Sequence, residues 1–126
     1  MQLLKGLRIV MTVHVLTVLV QAAFAGMLIG GNHQAANLHE LTAKILVPLA
    51  FFQMVLAIAL RVEGRCPLWV PVASGALLAA EIVEFSAGHF HNVALHVPLG
   101  VAIFGGALRQ LLWATREATV SPQVQA

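Results

Sequence analysis

Charge is what this chain has least of. Only 10% of its 126 residues are charged, against the ~25% usual in soluble domains. Hydrophobic residues make up 60%. A soluble protein of this size could not cover so much apolar surface with so few polar groups, so the bilayer is the solvent that suits it. Cysteine is almost as scarce. Cys66 stands alone, which excludes an internal disulfide and leaves an inert loop thiol as the plain expectation. The net charge is +2 with a pI near 9.3, but the basic residues are few and scattered. Without a basic stripe, nucleic acid is not an expected partner. No nucleophile–base pair, phosphate loop or nucleotide fingerprint is recognisable, so the chain reads as a carrier rather than a catalyst. Sustained polar–apolar alternation is missing too, which argues against the eight or more strands of a membrane barrel.

Long apolar runs are what the sequence does have. Ile9 to Gly30 carries no charge and is long enough to cross a ~30 Å hydrocarbon core at ~1.5 Å per residue. Further spans are expected at about 38–60, 68–88 and 93–113. Glu40 and Lys44 lie four apart in the first turns of the second span, a spacing that pairs them on a helix. The linkers "GNHQAAN", "VEGRCP" and "HFHN" are short. Short linkers favour antiparallel neighbours, so the expected fold is all-α: an up-down-up-down four-helix membrane bundle over residues 1–117. Residues 118–126 belong to a polar, fraying C-terminal tail.

Lys5, Arg8, Arg61, Arg65, Arg109 and Arg116 all fall on one side of this arrangement. The positive-inside rule then puts both termini in the cytoplasm, and Trp69 and Trp113 fall at the same inner interface. A multi-pass protein of the cytoplasmic membrane is expected. The start of the chain, ending in "AFAG", also has the form of a signal peptide. A retained span is the preferred reading, because the apolar run continues through Met27, Leu28 and Ile29.

The two halves echo each other faintly. "FAG", a polar loop and "LHELTAKIL" are followed later by "FSAG", a polar loop and "LHVPLGVAIF". Phe24, Ala25 and Gly26 correspond to Phe85, Ala87 and Gly88, and Leu38-His39 corresponds to Leu95-His96. Gln21 and Glu84 precede the glycines, and Ala43 and Gly100 follow the histidines by four. Two hairpins related by a pseudo-twofold axis would place spans two and four diagonally across the bundle. His39 and His96 would then face each other near the outer side. Ala43 and Gly100 lie one turn deeper on the same faces, where small residues leave room for a flat group.

Two imidazoles so placed suit the two axial positions of a haem iron. The expected cofactor is one haem b with His39 and His96 as its metal ligands. Ala43 and Gly100 would flank it, and Lys44 is one candidate partner for the propionates, along with Asn32, Asn92, His33, His89 and His91. Glu84, with Gln21 as its counterpart in the repeat, is placed to orient a ligand histidine, as outer carboxylates do. Such a protein would pass single electrons to a quinone or a redox protein at the outer face, or report on haem or redox state. The plainer reading of histidines at span ends is interfacial, with a polar tip reaching water, and for His33, His89 and His91 it is preferred. His14 lies alone at its depth, and a hydrogen bond to a neighbouring helix, with Thr12 or Thr17 nearby, is expected of it. Glu81 and Glu84, at i and i+3, share a helix face and serve either as a proton or cation relay or as glue between helices.

Three competing readings stand beside this one, the first on the same imidazoles. A zinc or copper site could draw on His33, His39, His89, His91, His96 and Glu40. A small proton-coupled transporter would use Glu81 and Glu84, with Pro48 offering a kink. A structural subunit of a larger complex, homo- or hetero-oligomeric, would use glycine-rich runs such as "GMLIGG" and "FGGAL" for close helix contact.

The pattern "FAG…LH" then "FSAG…LH", over nearly the whole chain, resembles a family of small uncharacterised four-helix membrane proteins best known from actinobacteria. It also resembles one four-helix half of haem A synthase, whose units carry histidines at the outer starts of their second and fourth helices. That resemblance implies axial ligation by His39 and His96. The chain departs from the synthase in three ways. It has one unit rather than two. Ala35 and Ala36, or Asn92 and Val93, stand where the catalytic unit has a carboxylate. An outer-loop cysteine pair is missing. A haem-binding bundle is therefore implied, and the synthase activity is not.

Overall fold

The computed structural model describes residues 2–120. These form four helices: α1 (Gln2–Ile29), α2 (Ala35–Val62), α3 (Trp69–His89) and α4 (Val93–Val120). Each is long and apolar enough to cross a membrane. α1, α2 and α4 are longer than the spans expected from the sequence because their polar ends continue the same backbone ladder, and α3 matches its expected span to within a residue. α4 extends to Val120 and takes up the first residues of the expected tail. Residues 121–126 of that tail lie outside the described residues.

The helices pack around a square. α1 contacts α2 and α4, and α3 contacts α2 and α4. This is the antiparallel four-helix bundle, with α2 and α4 on one diagonal. The outer faces carry Leu16, Phe52, Val72 and Val101, all exposed, as lipid-facing surfaces require. Hydroxyls on those faces bond back into their own helices, with Thr12 Oγ1 donating to the Arg8 carbonyl and Thr17 Oγ1 to that of Val13. These two hydroxyls are thereby not left bare to hydrocarbon.

All three turns use one device. After α1, Asn32 N donates to the Met27 carbonyl and Gly31 N to that of Leu28, with Gly31 at φ +91°. After α2, Arg65 N and Gly64 N repeat the pattern onto Leu60 and Arg61, with Gly64 at φ +71°. After α3, Asn92 N and His91 N repeat it onto Ala87 and Gly88. These are Schellman caps, which need a left-handed residue and usually take glycine. At the third turn the residue is His91, at φ 56°.

The core is layered. Leu7, Met11, Ala57, Leu60, Val70 and Ala114 pack together toward the end that holds the chain terminus and the α2–α3 turn. Most basic residues are at this end, called the basic end below, where Arg109 also lies over the Trp69 ring. Val15, Val18, Leu46, Leu77 and Ile103 form a second apolar layer toward the opposite, histidine end. Between the two layers lie buried polar side chains.

Candidate functional site

His39 is in the second turn of α2 and His96 in the first turn of α4. Their rings meet across the diagonal with centroids 6.0 Å apart and planes at 76°. His39 Nδ1 is 3.1 Å from the Gln21 carbonyl oxygen. His96 Nδ1 is 3.2 Å from the Glu84 carbonyl oxygen and 3.0 Å from its Oε1. Carbonyl and carboxylate oxygens only accept in these pairs, so each Nδ1 must carry its proton and donate. That assigns the tautomer and makes Nε2 the lone-pair nitrogen of both rings. The two carbonyls, of Gln21 and Glu84, are related by the internal repeat, so the pseudosymmetry reaches the hydrogen bonds.

The symmetry is incomplete around the rings. His39 Nε2 accepts a long 3.4 Å contact from the Gln21 amide, and Thr42 Oγ1 donates to Gln21 Oε1. Among the described residues His96 Nε2 makes no hydrogen bond. The His96 ring instead lies against Gly88, where an added Cβ would come within 3.0 Å of its Cε1. Gly26, the counterpart of Gly88, has nothing within 4 Å of such a Cβ.

A cavity of about 470 Å³ opens beside the two rings, lined by His39, His96, Gln21, Ala43, Gly88 and the outer histidines His89 and His91, with others. Its size falls in the ~300–1,000 Å³ range of small-molecule pockets. Ala43 keeps this space open as expected of a small residue. Gly100 has a different neighbour: the Glu84 carboxylate lies 3.1 Å from where its Cβ would be. Lys44 is exposed and bonds Glu40 at 2.6 Å, the anticipated i, i+4 pair. Among the described residues no three or more of His, Cys, Asp and Glu gather as a metal site.

A second, smaller cavity of about 40 Å³ lies deeper, lined by Glu81, Glu84, His96, Gly100 and Val18 among others. At ~10–15 Å³ per water centre it has room for a few waters. Glu84 Oε2 is buried there with no protein partner.

Below it lies the buried polar layer. His14 Nε2 is 3.0 Å from Glu81 Oε1, and His14 Nδ1 is 2.9 Å from Gln53 Oε1. Gln53 Nε2 donates to Gln110 Oε1 at 3.1 Å, and Ser74 Oγ donates to the same oxygen at 2.8 Å. His14 does hydrogen-bond to other helices, to Gln53 on neighbouring α2 and to Glu81 on diagonal α3, but not with Thr12 or Thr17, whose hydroxyls bond back into their own helix. Gln53, Ser74 and Gln110 were missed by sequence reasoning. Gln53 and Ser74 are lone polar residues in apolar runs and Gln110 follows Arg109, and only the bundle brings the three together. Cys66 is buried and bonds the Ala57 carbonyl at 3.7 Å. Burial pushes its thiol up, with Arg61 pulling the other way, which keeps it protonated and unreactive.

No protein-family model matches the chain, and neither a curated protein nor a solved structure is similar to it.

Proposed function

We propose that the protein is a membrane-bound b-type haem protein, with one haem held between His39 and His96 near the outer face. One observation carries the reading. Two imidazoles from diagonal helices come within 6.0 Å, centre to centre, each with Nδ1 tied to a backbone carbonyl of the preceding helix. A metal bonded to two imidazole nitrogens at ~2.0–2.1 Å each puts the ring centres roughly 6 Å apart. The Nδ1 anchors are the outer hydrogen bonds that fix ligand histidines in metal sites. The donor set suits a porphyrin iron better than zinc, since two ligands from the chain suffice when the macrocycle supplies the rest.

Bound there, the haem would supply one-electron redox chemistry. The chain's own residues do the rest. Glu84 holds His96 through both its carbonyl and its carboxylate, which raises the basicity of the ligand nitrogen. Gln21 holds His39 through its carbonyl, and its long amide contact to Nε2 is weak enough that it would leave that lone pair available to a metal. His89 and His91 line the mouth of the cavity, where propionates would meet donors. A quinone or an outer-side redox protein is the electron partner in this reading. The protein would lie in the cytoplasmic membrane with its basic end and both termini inside.

The test is a reduced-minus-oxidised absorption spectrum of protein purified from haem-replete cells. A bis-histidine haem spectrum is expected, lost in His39→Ala and in His96→Ala but kept in His33→Ala. A colourless protein that takes up no added haemin would end the proposal.

A further inference from the structure

The buried polar layer is separate from the imidazole pair, and its hydrogen-bond count constrains its protons. His14, Ser74, Gln53, Gln110 and Glu81 are at most 3% exposed, so bulk solvent does not complete their hydrogen bonds, and of the five only Glu81 lines the small cavity. In the arrangement described, Gln53 Oε1 accepts from His14 Nδ1–H. The 3.0 Å contact between His14 Nε2 and Glu81 Oε1 needs a proton as well, on whichever of the two atoms. The His14–Glu81 pair therefore holds two protons and is neutral overall. This arrangement leaves one group unpaired: Gln110 Nε2, 1% exposed, has no hydrogen-bond partner.

Exchanging oxygen and nitrogen on both amides reverses the chain. Gln110 Nε2 then donates to Gln53 Oε1 and to Ser74 Oγ, which uses both its hydrogens. Gln53 Nε2 turns toward His14 and donates to Nδ1. His14 must then carry its proton on Nε2 and donate to Glu81 Oε1, which no longer needs a proton of its own and can be ionised. This state holds one proton and has a charge of −1. The two directions of the amide chain thus correspond to two proton counts. Their costs differ: the first orphans Gln110 Nε2, the second leaves Gln110 Oε1 in that unpartnered place, a milder loss for an acceptor, and the second also buries a net charge.

We propose that the His14–Glu81 pair is a buried proton-binding site, whose loaded and empty forms are matched by reversal of the Gln53–Gln110 amide chain. It exchanges its proton with the histidine end of the bundle. Release takes one proton from the pair to water in the small cavity that Glu81 lines, and uptake returns it. On the other side the layer of Leu7, Met11, Leu60 and Val70 offers no polar stepping stone. The groups facing the pair are few. α2 presents Gln53, α4 presents Gln110, and α3 adds Ser74. Glu84 and His96 share the small cavity with Glu81, whereas the Arg109 guanidinium is 5.0 Å from the Trp69 ring centre at the basic end. The site does not depend on haem.

The test is infrared difference spectroscopy of the full chain in liposomes across a pH titration, with side-chain-labelled glutamine. A change in carboxyl and imidazole bands is expected together with a change in the glutamine amide bands. The coupled change should vanish in Glu81→Gln and persist in Glu84→Gln. Gln53→Leu should remove the amide component and move the midpoint by about one pH unit, ten-fold in proton affinity. Val18→Leu, which narrows the small cavity, should slow the response to a pH jump at least ten-fold without moving the midpoint. Glutamine bands that stay constant through the titration of the unmodified protein would overturn the proposal, as would a coupled change that survives in Glu81→Gln. A Val18→Leu response as fast as the parent's would overturn the access route.

Discussion

Gly88→Ala should weaken haem binding although residue 88 is not a ligand. The new Cβ would be 3.0 Å from His96 Cε1 and 3.2 Å from Nδ1, so the ring must lift by roughly 0.4–0.5 Å to reach ordinary contact. Gly88 and Glu84 sit one turn apart on the same face of α3. Lifting the ring off Gly88 therefore draws Nδ1 away from both Glu84 atoms, now at 3.0 and 3.2 Å. Those contacts would approach ~3.5 Å, where hydrogen bonding fails. Weakening a pair of this kind costs about 1–3 kcal/mol, or roughly ten- to hundred-fold in haem Kd. The assay is a haemin titration followed by absorbance, with the Gly26→Ala protein alongside. Gly26 occupies the equivalent place in the repeat but has open space around it, and its variant should bind like the parent. Equal affinity for Gly88→Ala and the parent would refute the view that α3 holds His96 in its ligating pose.

Two further outcomes follow from the turns and the charge pattern. His91→Gly should stabilise the protein by roughly 0.5–1 kcal/mol, since a left-handed residue is strained unless it is glycine; thermal melting in detergent reads this, and an unchanged or lower melting temperature argues against strain at His91. If the histidine end faces outward, a thiol placed by Asn32→Cys should react with an impermeant reagent on intact cells, whereas one placed by Glu63→Cys should react only after the membrane is opened; the reverse pattern would invert the proposed orientation.

The helices were legible because lipid imposes a length and a composition on each span, and both are written locally. The Glu40–Lys44 pair was legible for the same reason, since one helix contains both residues. The meeting of His39 and His96 needed the repeat, which converts two distant positions into a symmetry argument. Glu84 was recognisable as a partner for a histidine, but not as the group that fills the space over Gly100, because side-chain packing depth is not encoded in spacing. The polar layer was illegible for a stronger reason. Residues 14, 53, 74, 81 and 110 lie on four helices with no shared local pattern. Their association depends on the relative rotation and height of all four, which single polar letters in apolar runs do not disclose.

The square arrangement has a mechanical corollary. α2 and α4 face each other along a diagonal without close backbone contact, and at the histidine end the edge of one imidazole against another joins them. A ligand grasped by both would act as a crossbeam between two lightly braced posts. Occupancy would then stiffen that end of the bundle, and above the Kd the melting temperature would climb with the logarithm of ligand concentration.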